Sequence, residues 1–318
     1  MTCYGCPMRA MRLLLLGPLV LGACSAAPVS GGQDGGQDSA LPPSDSAPPP
    51  ADAEAPRVDA ADAAPDAPPP NSTRGRGGVP CSSRGDLGAG RTYCVSAEGG
   101  SEYKLAEPSA GSGPLRLALF VHGDRAEDHR SDAAMRALLP WADAHRALFV
   151  SVLSPNKCAW WQLPTQTDCT DQGPLEPDVE GLNADALRAV IDRIRAGFDV
   201  TFGPMFYYGA SGGSVFLTKA FLRRFGDLYP GAYALNCGGE KPDRPVAWPT
   251  SDPQRRGPTK LFFTYGERDF LKADIEVAIP FFAGLGLPTD TKVIAGAEHC
   301  AFDTHGRTAE VWSAFLGE

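Results

Sequence analysis

The chain has 318 residues, of which 43% are hydrophobic and 21% charged, enough apolar content for one large globular domain or two small ones. Its 38 acidic and 29 basic residues give a formal net charge of -9 at pH 7, and the basic residues do not cluster. This charge balance argues against a nucleic-acid partner.

The N-terminus has the pattern of an export signal. Arg9 and Arg12 precede the apolar run Leu13–Leu21, which is too short to span a membrane but is typical of a signal peptide. The run ends in Leu-Gly-Ala-Cys24, which resembles the lipobox of bacterial lipoproteins and implies cleavage after residue 23 and lipidation of Cys24. A plain secretory signal is the alternative. Either implies export, and the lipobox implies a bacterial cell-envelope protein anchored by lipid to a membrane such as the outer membrane.

The next segment is low in complexity. Residues 24–78 consist mainly of Ala, Pro, Asp, Gly and Ser, with almost no bulky apolar side chain to bury. Such a segment cannot offset the entropy lost on ordering, so we expect a disordered tether. Proline and like-charged carboxylates extend it, which suits a spacer between a membrane and a domain.

From residue 79 onward, strand-like and helix-like patterns alternate. The pattern predicts strands at Arg91–Ala97, Glu102–Ala106, Pro114–His122, Ala147–Leu153, Met205–Tyr208, Ala232–Asn236, Lys260–Tyr265 and Thr291–Ile294. It predicts helices at Asp132–His145, Asp178–Phe198, Val215–Phe221, Asp274–Leu285 and Arg307–Leu316. The alternation indicates one α/β domain over residues 79–318, with a mostly parallel sheet, helices on both faces and chemistry at the carboxyl ends of the strands.

The motif Gly209-Ala-Ser211-Gly-Gly213 lies between a predicted strand and a predicted helix. In that context Gly-x-Ser-x-Gly is typical of a nucleophile elbow, where glycines avoid collisions around a strained serine. Glycine turns of this composition also occur without function. The strand-to-helix context favours Ser211 as a nucleophile.

A serine nucleophile needs a base and an acid that orients the base. His299 follows the last predicted strand, whereas His305 begins a helix and is the weaker candidate. Asp269 and Glu267 both follow the strand Lys260–Tyr265, and we favour Asp269 as the acid. The backbone amides of Gly212 and Asp124 are the candidate oxyanion-hole donors, with His122 in a structural role.

These residues resemble the α/β-hydrolase superfamily and, within it, the exported polyhydroxybutyrate depolymerases and the feruloyl or acetylxylan esterases (carbohydrate esterase family 1). The resemblance spans about Leu115–Phe315 and rests on Val121-His-Gly123, Phe206–Gly213, Tyr265-Gly-Glu-Arg-Asp269 and His299. It implies an α/β-hydrolase fold and a Ser-His-Asp serine esterase that acts on polysaccharide acyl, feruloyl-type or polyester substrates and needs no cofactor. Asp124-Arg125 departs from the small or cysteine residues usual in those esterases.

Of the nine cysteines, Cys3, Cys6 and Cys24 lie in the N-terminal segment, which leaves six. An even number in an exported domain suggests disulfides, although six cysteines allow about fifteen pairings. Proximity favours two bonds and leaves a third pair, both members of which follow strands at the carboxyl edge. The expected bonds are Cys81–Cys94, Cys158–Cys169 and Cys237–Cys300. A metal site is the alternative, but the domain has no Cys-x-x-Cys and no group of histidines, so we expect none.

Two tryptophans, Trp160 and Trp161, lie in a loop between Cys158 and Cys169. They could form an aromatic rim that stacks on a sugar or phenolic ring, or they could pack the loop onto the domain. A binding lipoprotein that has lost catalysis and a serine peptidase remain alternatives to the esterase.

Overall fold

The structure, a computed structural model, describes residues 72–73, 75–167, 169, 176–248 and 257–318. The predicted signal peptide, Cys24 and the predicted tether as far as residue 71 lie outside the described residues. The strands are Ser83–Gly88 (β1), Arg91–Glu98 (β2), Ser101–Ala106 (β3), Arg116–Val121 (β4), Ala147–Val152 (β5), Met205–Ala210 (β6), Gly231–Asn236 (β7), Lys260–Gly266 (β8) and Thr289–Ile294 (β9).

These strands form one sheet in the order β1-β2-β3-β5-β4-β6-β7-β8-β9. Every pair from β5 to β9 along this order is parallel, whereas the pairs β1–β2, β2–β3 and β3–β5 are antiparallel. The carboxyl ends of β4, β6, β7 and β8 therefore meet at one edge of the sheet, where the predicted site residues follow them.

The helices alternate with these strands. They are Glu127–Arg130 (α1), Ala133–Ala144 (α2), Leu182–Gly197 (α3), Gly212–Phe216 (α4), Arg223–Phe225 (α5), Lys272–Gly284 (α6) and Thr304–Leu316 (α7). A π-helical segment, Leu217–Leu222, joins α4 to α5, so that residues 212–225 form one continuous helix, the elbow helix. No helix in the described part of the chain is long and apolar enough to cross a membrane.

Strand β4 shows why the sheet is covered on both faces. Leu119 and Val121 belong to one buried apolar cluster, and Ala118 and Phe120 belong to a second. Because successive side chains of a strand point to opposite faces, the two clusters lie on the two sides of the sheet. Helices α3 and α6 contribute to the first cluster, and α2 and α7 to the second. The predicted mostly parallel sheet with helices on both faces is confirmed.

The element limits differ from the sequence predictions in two instructive places. Strand β1 was not predicted, because Leu87 is its only buried residue and its pattern carries no clear alternation. Helix α3 begins at Leu182 and not at Asp178, because the Asp178 carboxylate accepts the backbone N–H groups of Gly181, Leu182 and Asn183. Asp178 therefore caps the helix from outside it.

The segment just before β1 lies against the domain. Thr73 donates its backbone N–H to the carbonyl of Val200 at 2.8 Å, and Gly78 donates to the carbonyl of Gly197 at 2.9 Å. The Thr73 hydroxyl also donates to the carbonyl of Phe198 at 2.7 Å. The last residues of the segment predicted as a tether are thus hydrogen-bonded to the end of α3 and the loop that follows it.

Candidate active site

Ser211 lies in a strained turn between β6 and α4. Its backbone angles are φ 50° and ψ -120°, which non-glycine residues rarely adopt. A Cβ atom on Gly209 would lie 2.8 Å from the backbone of Ser214, and one on Gly213 would lie 2.1 Å from the carbonyl oxygen of Val121. Both motif glycines are therefore needed for the turn to form.

A line of hydrogen bonds joins Ser211, His299 and Asp269. The Ser211 hydroxyl lies 2.8 Å from His299 Nε2, and His299 Nδ1 lies 2.8 Å from Asp269 Oδ1. A carboxylate can only accept, so Nδ1 carries the proton and Nε2 is left to accept the hydroxyl proton. The Asp269 side chain is fully buried and also accepts the N–H of Leu271 at 2.9 Å. This arrangement can deprotonate a serine as it attacks.

The alternative acid, Glu267, and the alternative base, His305, make other contacts. Glu267 does not contact His299 but accepts the backbone N–H of Gly296 at 2.8 Å. Its neighbour Arg268 donates its guanidinium to the carbonyl of Gly296 and its backbone N–H to the carbonyl of Ala297. These bonds hold the loop that carries the histidine. His305 lies in the first turn of α7, with its Nδ1 3.0 Å from the hydroxyl of Tyr208.

The loop after β4 lies beside the serine. A Cβ on Gly123 would lie 3.3 Å from the Ser211 Cβ. His122 Nε2 accepts the Ser154 N–H at 3.0 Å, so its Nδ1 donates to the Gly123 carbonyl at 2.6 Å. In a trans peptide this carbonyl and the N–H of Asp124 point in opposite directions, so His122 fixes the direction of the Asp124 amide.

Burial keeps two histidines near this loop neutral. His122 is fully buried, and burial lowers its pKa to about 4. Burial also lowers the pKa of His129 to about 3, with further lowering by His122, Lys104 and Arg130. The His129 Nδ1 lies 2.8 Å from the Ser151 hydroxyl. Both rings hydrogen-bond to groups other than Ser211, whose ring partner is His299, so both have structural roles.

A cleft of about 290 Å³ opens at Ser211. The elbow helix, the loops after β5, β7 and β8 and the loop after β4 all contribute to its walls. Its apolar lining includes Trp161, Val179, Val215, Phe270 and Leu271. The sequence prediction missed most of these residues, because loop residues without periodicity give no signal of facing a common space.

The two tryptophans of the disulfide-closed loop have different environments. Trp160 is fully buried and packs on Phe216, with ring centroids 4.8 Å apart, so it cannot form an exposed rim. Trp161 is half-buried and donates its indole N–H to Asp124 Oδ1 at 2.9 Å. A Cβ on Gly212 would lie 2.1 Å from the same oxygen, so this carboxylate lies directly against the elbow.

The three disulfides have the predicted pairing. Cys81 bonds Cys94, Cys158 bonds Cys169, and Cys237 bonds Cys300, with Cα–Cα distances of 5.3, 5.1 and 5.2 Å. The sulfur atoms of Cys237 and Cys300 lie beside His299 in a spacing that could suit a metal ion, but both are taken up by the disulfide.

No protein-family model matches the chain, and a search of curated proteins finds no match. Solved structures do match. A carboxylesterase from Mesorhizobium loti aligns with a TM-score of 0.50 and 15% identity, over 71% of this chain and 99% of that protein. The strand order, the turn at Ser211 and this alignment all indicate the same fold. The chain has the α/β-hydrolase fold.

Two further solved structures align with part of the chain. A protein from Bacteroides ovatus, proposed to be a dipeptidyl aminopeptidase IV, aligns with a TM-score of 0.50 and 10% identity, over 71% of this chain and 35% of that protein. A thermostable esterase aligns with a TM-score of 0.46 and 18% identity, over 70% of this chain. The chain spans 60% of that esterase. At such identities the likeness concerns the fold, and activity must be argued from the site.

Proposed function

We propose that this protein is an exported serine esterase that hydrolyses carboxylic esters through an acyl-enzyme. The observation that carries the proposal is the hydrogen-bonded line from the Ser211 hydroxyl through His299 to the buried Asp269. Three side chains from separate segments meet in the geometry that a serine nucleophile requires, and Ser211 also lines the cleft.

The first half of the proposed reaction forms the acyl-enzyme. Ser211 Oγ attacks the ester carbonyl as His299 Nε2 takes the hydroxyl proton, and Asp269 stabilises the resulting imidazolium. The amides of Gly212 and Asp124 donate to the oxyanion that develops on the carbonyl oxygen. When the tetrahedral intermediate collapses, the ester C–O bond breaks and His299 returns the proton to the leaving alcohol.

The second half hydrolyses the acyl-enzyme. A water molecule gives a proton to His299 Nε2 and attacks the acyl carbonyl. As this second intermediate collapses, the bond between the acyl carbon and Ser211 Oγ breaks, His299 returns the proton to Oγ, and the carboxylic acid leaves. The cleft lies at the small end of the usual range for ligand sites, about 300 to 1,000 Å³. It suits a single acyl chain or ring, which fits acyl or feruloyl side groups of polysaccharides and short polyester units.

A serine-directed probe tests this proposal. The exported protein should hydrolyse para-nitrophenyl acetate and should be labelled at Ser211 by a fluorophosphonate. Ser211→Ala should lose about 10³-fold or more in kcat while it remains folded. Ser214→Ala is the matched control, because Ser214 lies in the same elbow but donates to the Asn236 carbonyl at 3.0 Å and is fully buried. Labelling of Ser214, or no turnover by the unaltered protein, would overturn the proposal.

We further propose that Cys24 is lipidated and that the Ala- and Pro-rich segment after it tethers the domain to a membrane of the bacterial envelope. The three disulfides fit an oxidising compartment outside the cytoplasm. Growth with labelled palmitate should mark the protein, and Cys24→Ser should release it from membranes. A Cys24→Ser protein that still sediments with membranes would contradict this anchor.

A further inference from the structure

The cleft continues from Ser211 along one side of the elbow helix. Ser211, Val215 and Lys219 all line it, and they are spaced four residues apart, so they share one helical face. The helix is α-helical from Gly212 to Phe216 and π-helical after that, so at about 1.5 Å or less of rise per residue Lys219 lies on the order of 10 Å along it from the nucleophile. The cleft therefore has a near end at the serine and a far end at Lys219.

The far end is a cluster of three charges. Lys219 Nζ lies 2.7 Å from Glu240 Oε2 and 3.1 Å from Asp243 Oδ2. All three residues line the cleft. Burial acts to lower the pKa of Lys219, but its hydrogen bonds to the two carboxylates outweigh this and raise the pKa. The ammonium stays charged, and the cluster as a whole carries one net negative charge.

The position of the cluster is fixed by the backbone. The Glu240 N–H donates to the hydroxyl of Thr218 at 2.9 Å, and this threonine is fully buried in the helix beside Lys219. Lys219 contacts one oxygen of each carboxylate, although a carboxylate offers about four acceptor sites. The cluster therefore has more capacity to accept hydrogen bonds than to donate them.

The other described residues that line the cleft add no positive charge to balance the net negative charge of the cluster. Among the described residues that line it, Lys219 is the one basic side chain, and Asp124 and Asp178 are further carboxylates. Asp178 is engaged by three backbone amides at the start of α3, and Asp124 accepts from Trp161. Apart from Ser211, the other side chains that line the cleft are apolar, so a bound chain lies along a mostly apolar surface with Asp124 beside the elbow and the charge cluster at the far end.

We propose that this cleft selects esters whose bound chain ends in a hydrogen-bond donor, above all a primary ammonium group, and rejects chains that end in a carboxylate. The inference rests on the proposed esterase function and names its substrate class. A chain-end ammonium would share the free acceptor sites of Glu240 and Asp243, whereas a chain-end carboxylate would meet two like charges that one lysine only partly offsets.

Esters of matched length test this selection in the full-length protein. Para-nitrophenyl esters of aminohexanoate, hydroxyhexanoate and adipate (one end esterified) differ only in the chain end. We expect kcat/KM to fall in that order, with the ammonium ester about tenfold or more above the carboxylate ester at low salt and a smaller ratio at high salt. Acetate esters of aminohexanol and hydroxyhexanoic acid place the same end groups on the alcohol side. Whichever series discriminates reports which part of the ester lies in the cleft.

Charge variants sharpen the test. The double variant Glu240→Gln, Asp243→Asn leaves Lys219 as the one charge of the cluster, so the preference between ammonium and carboxylate chain ends should reverse. Asp290→Asn is the matched control, since it removes one exposed carboxylate of β9 outside the cleft and should leave the preference unchanged.

Para-nitrophenyl acetate, which is too short to reach Lys219, separates the two proposals. If acetate is not hydrolysed, the esterase proposal fails. If acetate is hydrolysed but neither series distinguishes the chain ends, or the double variant keeps the original preference, the inference on substrate class fails.

Discussion

A disulfide bond joins Cys300, which follows the base His299, to Cys237, which follows Asn236. Ser211 donates to the Asn236 carbonyl at 2.9 Å, and Cys237 donates to the Thr264 carbonyl at 2.7 Å. Both cysteines have left-handed backbone, with φ values of 45° and 53°. The disulfide thus ties the loop of the base to the strand ends that hold the nucleophile and the acid.

We expect the double variant Cys237→Ser, Cys300→Ser to lose stability and kcat together. The bond closes a sequence separation of 63 residues, for which the chain-entropy model gives about 4 kcal/mol of stabilisation. Without the bond the His299 loop can move away from Ser211, so kcat should fall more than KM changes. Thermal unfolding and steady-state kinetics on a nitrophenyl ester measure the two effects.

The matched control for this bond is Cys81→Ser, Cys94→Ser, which removes a disulfide between the start of β1 and β2, away from the site. It should lower the melting temperature and leave kcat of the remaining folded protein unchanged. Equal losses of kcat in the two double variants would contradict a positioning role for Cys237–Cys300.

Substitution of the two candidate acids should have very different effects. Asp269→Asn keeps the shape but favours the wrong histidine tautomer, and kcat should fall by about 10³- to 10⁴-fold. Glu267→Gln removes a charge that contacts Gly296 and not His299, so the loss should stay within about tenfold. Kinetics of both variants beside circular dichroism decide the assignment. A larger loss for Glu267→Gln would transfer the acid role to that residue.

The sequence was informative where chemistry follows the ends of strands. Ser211, Asp269 and His299 each come just after a predicted parallel strand, and such ends must meet at one edge of the sheet, so the three could be brought together without coordinates. The residues at the far end of the cleft could not be brought together from the sequence. Glu240 and Asp243 lie in the irregular chain after β7, where no periodicity indicates which way a side chain points.

The difference in burial between the two adjacent tryptophans could not be predicted from the sequence either. Trp160 is fully buried and Trp161 is half-buried beside Asp124, although both lie in the same short loop. Loop conformation, and not composition, decides between such neighbours, because a loop has neither the period of a helix nor that of a strand. The contacts of Glu267 and Arg268 with Gly296 and Ala297 in the histidine loop likewise had no signal in the sequence.

Acid should destabilise the domain through its two buried histidines. Burial lowers the pKa of His122 to about 4 and that of His129 to about 3, whereas an unfolded histidine has a pKa of about 6.5. Below about pH 6.5 the unfolded chain binds protons that the native state does not, so the free energy of unfolding falls as pH falls, down to about pH 4 and pH 3. The Ser154 N–H occupies His122 Nε2, so protonation must break that bond.

The expected loss is up to about 2 kcal/mol per histidine between about pH 7 and pH 5, measured by urea unfolding at each pH. The variant His122→Asn, His129→Gln should start less stable and show a smaller difference between the two pH values. An unchanged difference in this variant would assign the acid sensitivity to other groups.

Phe270 should position His299. It is among the most exposed large apolar residues of the described chain, at 73%, yet its ring centroid lies 4.2 Å from that of the imidazole, with an interplanar angle of 37°. A contact between two rings contributes about 0.5 to 1.5 kcal/mol beyond burial, so Phe270→Ala should lower kcat by about three- to tenfold by letting the imidazole leave the Ser211 hydroxyl. Phe270→Tyr keeps the ring and should restore kcat.

Val277→Ala is the matched control, because Val277 is an exposed apolar residue of α6. The rate of labelling by a fluorophosphonate, which needs the same base but no ester chain in the cleft, should follow kcat across the three variants. A change confined to KM, with an unaltered labelling rate, would mean that Phe270 contacts the substrate and does not hold the histidine.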